Sequence, residues 1–307
     1  MKTNTKKLCS ALIIGMLFAL IVICSDSTVE AAGGTWKKDS KGWYYSYSKG
    51  SYAQNKWLKS GKNWYFFNAE GYMVTGWKKI QKKWYYFNSE GAMVTGWKKI
   101  RSCWYYFNDK GAMATGWKKI DKKWYFLDPD GEMRTGWLLS GNKIYYLNKN
   151  GSMATGKKKI EFFTYTFDNS GVMKDTSTTS LEREQRTYII INSMLKEIND
   201  ESMNYADNLK KSTDEASIHA YVAKNGFDLS GARMQDIMKL CKKYSRFSDI
   251  GTEVKKLYDM NGALKKKYNT ASDFDTQTYL NDVAAYLRKL ADIHDEMADI
   301  ANEYAGG

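Results

Sequence analysis

Residues 75–97 read TGWKKIQKKWYYFNSEGAMVTGW, and the stretch starts over every twenty residues. Its Trp-Tyr-aromatic element begins at Trp64, Trp84, Trp104 and Trp124, with degenerate copies at Ile144 and Thr164 and an earlier one at Trp43, one residue out of step. Its Gly-x-Met-x-Thr-Gly-Trp element occupies 71–77, 91–97, 111–117 and 131–137, and closes with lysine in place of tryptophan at 151–157. A fixed period of this size marks a stacked array in which each unit covers its neighbour, and atypical end units are what such an array needs. Within a unit, aromatic and polar residues alternate over short runs and break at glycine or asparagine, the pattern of strand, tight turn, strand, loop. Each of about seven units is therefore expected to be a β-hairpin. With the turn near Ile80 to Lys82, Trp77 and Trp84 are expected opposite one another on one face. A lone two-stranded hairpin is marginal in water, so the hairpins are expected to stack into an all-β solenoid over about 33–175.

Beyond Asp175 the texture changes. Serine and threonine cluster at 176–180 and tryptophan does not recur. Apolar residues then return every three or four positions, as at Tyr188, Ile191, Leu195, Ile198, Tyr205 and Leu209, which predicts amphipathic helices. Helices are expected near 180–211, 213–225, 231–247, 250–268 and 274–304, packed as an all-α bundle over 176–307. Thr179 with Glu182 and Ser212 with Glu215 have capping-box spacing, and Gly226 reads as a helix stop.

Charge divides at the same place. Residues 33–175 carry 26 basic and 11 acidic side chains, a net +15, whereas 176–307 carry 18 and 21, a net −3. The basic repeats point to anionic polymers or surfaces. Upstream, Lys2, Lys6 and Lys7 precede an apolar run from Leu8 to Ile23, with Ala31 and Ala32 following. This is the order of a secretory signal, so 1–32 is expected to be removed and the mature chain to be secreted without a transmembrane segment. Removal takes Cys9 and Cys24, leaving Cys103 and Cys241 in segments of different character, with no disulfide framework; Cys103 is expected to be exposed. An exported chain with basic repeats favours wall polymers over nucleic acid as partners.

The repeated run TGWKKIQKKWYYFNSEGAMVTGW resembles the choline-binding, or cell-wall-binding, repeats of Gram-positive surface proteins, over about 35–174. The resemblance implies a hairpin solenoid anchored non-covalently at the cell surface through choline on teichoic or lipoteichoic acid. Lysine-rich turns depart from its usual Asp-Gly type, and similar repeats in glucan-binding proteins recognise carbohydrate instead.

Tryptophan at this density exceeds what core packing requires. Two tryptophans on one hairpin face and an aromatic from the next hairpin make a three-walled cage suited to a quaternary ammonium group. The expected cages are Trp36, Trp43 and Phe66; Trp57, Trp64 and Tyr86; Trp77, Trp84 and Tyr106; Trp97, Trp104 and Phe126; and Trp117, Trp124 and Tyr146. Met93 and Met113 are candidate floors. After Trp137 the pattern fails, because Ile144 and Thr166 replace two walls.

The helical half offers little for catalysis. His219 and His294 are isolated on predicted helices, and Glu215 with His219 lacks the partner motifs of a di-metal bundle. Asp292, Asp295, Glu296 and Asp299 read as a solvated helix face, and Glu201 has no assignable cleft. No catalytic residue, metal or cofactor is assigned. The expectation is a displayed interaction domain with an unidentified protein partner, the alternative a wall hydrolase of glycosidase or amidase type.

Overall fold

The computed structural model describes residues 29–30, 33–48, 50–161, 163–227, 229, 231–269 and 274–306. The expected signal segment 1–32 lies outside the described residues, apart from Val29 and Glu30, which pair in parallel with Leu58 and Lys59. Among the described residues no helix is long and apolar enough to cross a membrane.

The repeat folds as expected into antiparallel hairpins. Seven are present among the described residues: Gly34–Lys38 with Trp43–Tyr47, Lys56–Ser60 with Asn63–Phe67, Gly76–Ile80 with Lys83–Phe87, Gly96–Ile100 with Cys103–Phe107, Gly116–Ile120 with Lys123–Leu127, Gly136–Ser140 with Lys143–Leu147, and Gly156–Ile160 with Phe163–Phe167. Their turns are tighter than the sequence suggests. Gln81 and Lys82 have φ of 47° and 67°, and Asp121 and Lys122 have 48° and 68°, the two left-handed residues of a two-residue hairpin turn.

That turn corrects the expected register. Trp97 lies directly across from Tyr106, and Trp104 across from Lys99; likewise Trp117 faces Phe126, and Trp124 faces Lys119. The two tryptophans of a hairpin share a face, but they sit diagonally, two residues apart in register.

The Gly-x-Met element joins one repeat to the next. After its hairpin the chain turns back, and Ala114 N–H donates to Tyr106 C=O at 2.8 Å while Met113 N–H donates to Trp84 C=O of the preceding hairpin at 2.8 Å. Met133 and Met153 repeat this on Trp104 and Trp124. Each methionine side chain then lies on the glycine of the following unit: a Cβ at Gly131 would stand 2.3 Å from Met113 Sδ, and one at Gly151 2.3 Å from Met133 Sδ. Left-handed φ and bare α-carbon together require glycine there.

The chain divides into two compact units, one ending at Gly76 and including Phe87–Met93, the other comprising Trp77–Tyr86 and Val94–Gly307. In the first, Tyr45, Ala53, Leu58 and Phe67 form a small core. The second holds the helices α1 (Ser180–Lys210), α2 (Glu215–Asn225), α3 (Gly231–Cys241), α4 (Ser248–Tyr268) and α5 (Thr276–Gly306). Thr179 Oγ1 caps α1 by accepting from Glu182 N–H at 3.0 Å, and Gly226, at φ 66°, stops α2. The cap of α2 is Asp214, paired reciprocally with Ser217, rather than Ser212 with Glu215. Helix α3 ends at Cys241, short of the expected 247. Lys243 and Tyr244 donate to carbonyls three residues back, and the short turn Ser245–Phe247 buries Phe247 fully and reverses the chain into α4.

The helices share one continuous core with the last repeats. Trp137, Leu139, Ala154, Ile160, Tyr165 and Phe167 belong to the same buried cluster as Ile191, Leu195, Ile237, Leu257 and Leu290, and both α1 and α3 pack on the strand Gly136–Ser140. The change of texture at Asp175 thus marks a change of secondary structure, while the core runs across it.

Candidate ligand-binding site

The alternation of each strand puts its two tryptophans on one face with different surroundings. In the third hairpin the Trp77 and Trp84 ring centroids are 6.2 Å apart with planes at 89°, and in the fifth Trp117 and Trp124 are 6.4 Å apart at 85°. The first ring of each pair is half-buried; the second is open, Trp84 and Trp124 both retaining 42% of their surface. Trp43 and Trp104 are open to the same degree, at 43% and 42%. Two near-perpendicular indoles, one fixed and one presented to solvent, offer aromatic faces of the kind that attract a cation.

Packing fixes the inner ring. Trp77 meets Tyr86 of its own hairpin at 5.3 Å, and from the next hairpin Tyr105 at 5.0 Å and Phe107 at 5.6 Å. Trp97 lies against Tyr106 at 5.2 Å and Tyr125 at 5.0 Å, and Trp117 against Phe126 at 5.3 Å and Tyr145 at 4.8 Å. The aromatics that reach back from the following hairpin are thus the second and fourth residues of its Trp-Tyr-aromatic run. Tyr105, Tyr125 and Tyr145 were not among the expected site residues; the recurrence of tyrosine at the second position was the available signal. Burial, with Glu132 beside it, pushes the Tyr105 phenol well up from its ordinary range.

The expected third walls lie as follows. Tyr106, Phe126 and Tyr146 are each the cross-strand partner of the first tryptophan in their own hairpin, and Tyr86 packs on Trp77 within the third. Phe66, opposite Trp57 at 5.3 Å, is buried. In the opening repeats, Trp36 packs on Tyr45, Tyr65 and Phe67, Trp57 on Phe87 at 5.6 Å, and Trp64 accepts from the Met93 amide at 2.8 Å. Met113 lies over the α-carbon of Gly131.

Lysine enters the site from the opposite strand. Lys79 Nζ stands 5.8 Å from the centroid of the Trp84 ring, and Lys38 Nζ 5.7 Å from that of Trp43.

The sixth hairpin departs from this plan. Trp137 is fully buried between Tyr146 at 5.1 Å and Tyr165 at 4.9 Å. Where the first, second, fourth and fifth hairpins have lysine opposite tryptophan, it has Leu139 opposite Ile144. Arg134 and Asp128, in place of the small apolar residue and asparagine of neighbouring repeats, form a buried ion pair at 2.8 Å.

In the helical half, His219 shares a 3.0 Å hydrogen bond with Thr276 and lies 3.8 Å from Glu215. Glu201 pairs with Arg233 at 2.6 Å. Burial lowers the pKa of His294. Asp292, Asp295 and Asp299 are exposed, and Glu296 is half-buried with its pKa raised by burial. Among the described residues no group of three or more His, Cys, Asp or Glu side chains is arranged to hold a metal ion. Cys103 is half-buried rather than exposed, and burial pushes its thiol up to about 12.

The model of the choline-binding repeat family matches residues 55–95, 74–115, 94–133 and 114–157. Among solved structures, choline binding protein F from Streptococcus pneumoniae is 39% identical over 47% of this chain and 53% of that chain, with a TM-score of 0.44. The modular autolysin LytC from the same organism, solved with a synthetic peptidoglycan ligand, is 33% identical over 47% of this chain and 33% of that chain, with a TM-score of 0.39. A pneumococcal cell wall endolysin from phage Cp-1, solved with choline, is 46% identical over 40% of this chain and 37% of that chain, with a TM-score of 0.31. The chain thus spans about half the length of the first of these structures, 53%. No curated protein matches it. The repeats between residues 55 and 157 belong to the choline-binding repeat family.

Proposed function

We propose that the repeats hold this protein non-covalently, after its export, on choline-bearing polymers of a bacterial cell wall, and that the helices are displayed there for a protein partner. The observation that carries the reading is the pair of perpendicular indoles at Trp77 and Trp84, repeated at Trp117 and Trp124, with one ring of each pair open to solvent. The third wall of each box is proposed to come from the next hairpin, through Tyr106 and Tyr146, with Met113 as a floor.

A single box is weak. A cation over aromatic faces gains about 0.5–2 kcal/mol per contact, so binding of one choline in the millimolar range, about −4 kcal/mol, is expected. Several boxes along one polymer add roughly 10²- to 10⁴-fold in avidity where the spacing matches. The basic repeats add attraction to an anionic polymer.

Purified walls loaded with the protein and washed with concentrated choline test the reading. Release by choline supports it. Retention through the wash, with release by soluble glucan, replaces choline with carbohydrate as the ligand.

A further inference from the structure

The register of the hairpins sets lysine directly across from the second tryptophan: Lys38 faces Trp43, Lys99 faces Trp104 and Lys119 faces Trp124, all three rings open, and Lys59 faces the half-buried Trp64. Directly opposed residues bring their Cβ atoms to about 5 Å, so a four-carbon side chain reaches its partner's ring. Lys38 does so over Trp43 at 5.7 Å, and in the third hairpin Lys79 does so over Trp84 at 5.8 Å. On Trp43 and Trp84 the place a quaternary ammonium would take is therefore held by the chain's own ammonium.

Two consequences follow for a ligand. A lysine ammonium is compact and strongly hydrated, and over an exposed ring it is held weakly, so a methylated ammonium that sheds water easily can displace it. The displaced lysine stays tethered within one side-chain length of the box. Free choline offers it nothing in return. A choline carrying its phosphate offers it an anion beside the cation. The sixth hairpin, whose tryptophan is buried, lacks this arrangement, having Leu139 opposite Ile144.

We propose that Lys38, Lys59, Lys79, Lys99 and Lys119 are the anion-contacting half of the sites, so that the repeats select phosphocholine esters over free choline. The proposal rests on the choline reading of the boxes and adds to it the group that the lysines contact.

The test is titration of the full chain with choline and with glycerophosphocholine, followed by tryptophan fluorescence, for the natural protein and a variant with all five lysines changed to glutamine. Exposed charge pairs of this kind predict a preference of about 2- to 5-fold for glycerophosphocholine in the natural protein. In the variant the preference is expected to vanish; arginine at the five positions is expected to retain it. A preference that survives in the glutamine variant, or a natural protein without one, overturns the role of the lysines and leaves the boxes standing. If neither compound binds the natural protein, the choline reading itself fails. Co-sedimentation with phosphocholine-bearing wall polymer and with phosphatidylcholine vesicles distinguishes the sources of the ester: binding to either that drops in the variant supports the proposal, and equal binding of both proteins to both overturns it.

Discussion

Arg134 and Asp236 meet in the interior, Nη1 to Oδ2 at 3.4 Å, with side chains only 2% and 7% exposed. One comes from the loop before the sixth hairpin, the other from helix α3. Asp128 takes the remaining face of the guanidinium, accepting from Nε at 3.0 Å and Nη2 at 2.8 Å, and Asp236 also accepts from the Leu139 amide at 3.3 Å. Burial raises the pKa of Asp236, and Arg134 draws it partly back. One cation thus holds two buried carboxylates and ties the array to the helices. Arg134→Ala strands both, and a loss of about 3–5 kcal/mol is expected. Asp236→Ala leaves Arg134 its pairing with Asp128, and a smaller loss of about 1–3 kcal/mol is expected. Urea denaturation measures both; an Arg134→Ala loss no larger than that of Asp236→Ala contradicts the assignment.

Trp137 and Trp97 occupy the same place in the repeat with opposite expected roles. Trp137 is fully buried in the core shared with the helices, so Trp137→Ala is expected to cost about 3–5 kcal/mol and to leave choline stoichiometry unchanged. Trp97→Ala is expected to remove one site at a smaller cost in stability. Thermal unfolding paired with calorimetric titration separates them; equal losses of binding at both positions would favour packing over ligand contact throughout.

The contrast shows what the sequence made legible. The twenty-residue period predicted hairpins because aromatic alternation and turn residues act locally, and Ile144 and Thr166 set the sixth repeat apart from its neighbours. The reason for its change was hidden in tertiary packing. Leu139 in place of lysine, and Arg134 in place of valine or alanine, are residues that meet the helices, and only the fold brings Asp236 to them. The register was missed because the turn places non-glycine residues such as Gln81 and Lys82 at positive φ, which local preference disfavours. The capping residue of α2 and the end of α3 each moved a few residues, where alternative caps compete and a buried Phe247 decides the corner.

Gly131 tests how repeats are stitched. At φ 92°, with a new Cβ 2.3 Å from Met113 Sδ, Gly131→Ala is expected to combine left-handed strain of about 1–2 kcal/mol with overpacking of about 1–3 kcal/mol. Gly141→Ala, at φ 57° with open space around it, carries the strain alone. Equal denaturation midpoints for the two variants would show that methionine packing does not couple the units.

The turns point the other way. Lys122 holds φ 68° at the second position of a two-residue turn, where glycine adopts the same backbone without the Cβ penalty. Lys122→Gly is expected to stabilise by up to about 1 kcal/mol, the relieved strain being offset in part by the greater freedom of glycine in the unfolded chain. A lower melting temperature in this variant would rule out strain as a property of the turn.

Alkaline pH reaches the core that helices and repeats share. Burial pushes Tyr165 and Tyr205 from 10.0 to about 12 and Cys241 from 9.0 to about 12. A folded-state pKa above the unfolded value means that the unfolded chain releases protons first as pH rises. The stability these groups contribute is therefore complete below pH 9 and falls progressively between about 9 and 12. Urea midpoints measured at successive pH values should decline across that window. The Tyr165 hydroxyl is buried with no hydrogen-bond partner among the described residues. Tyr165→Phe removes that orphaned group, so the variant is expected to gain about 1 kcal/mol at pH 8. It should also lose less stability by pH 11, because one titrating group is gone from the core. A variant as steeply pH-dependent as the natural chain would place the alkaline transition elsewhere.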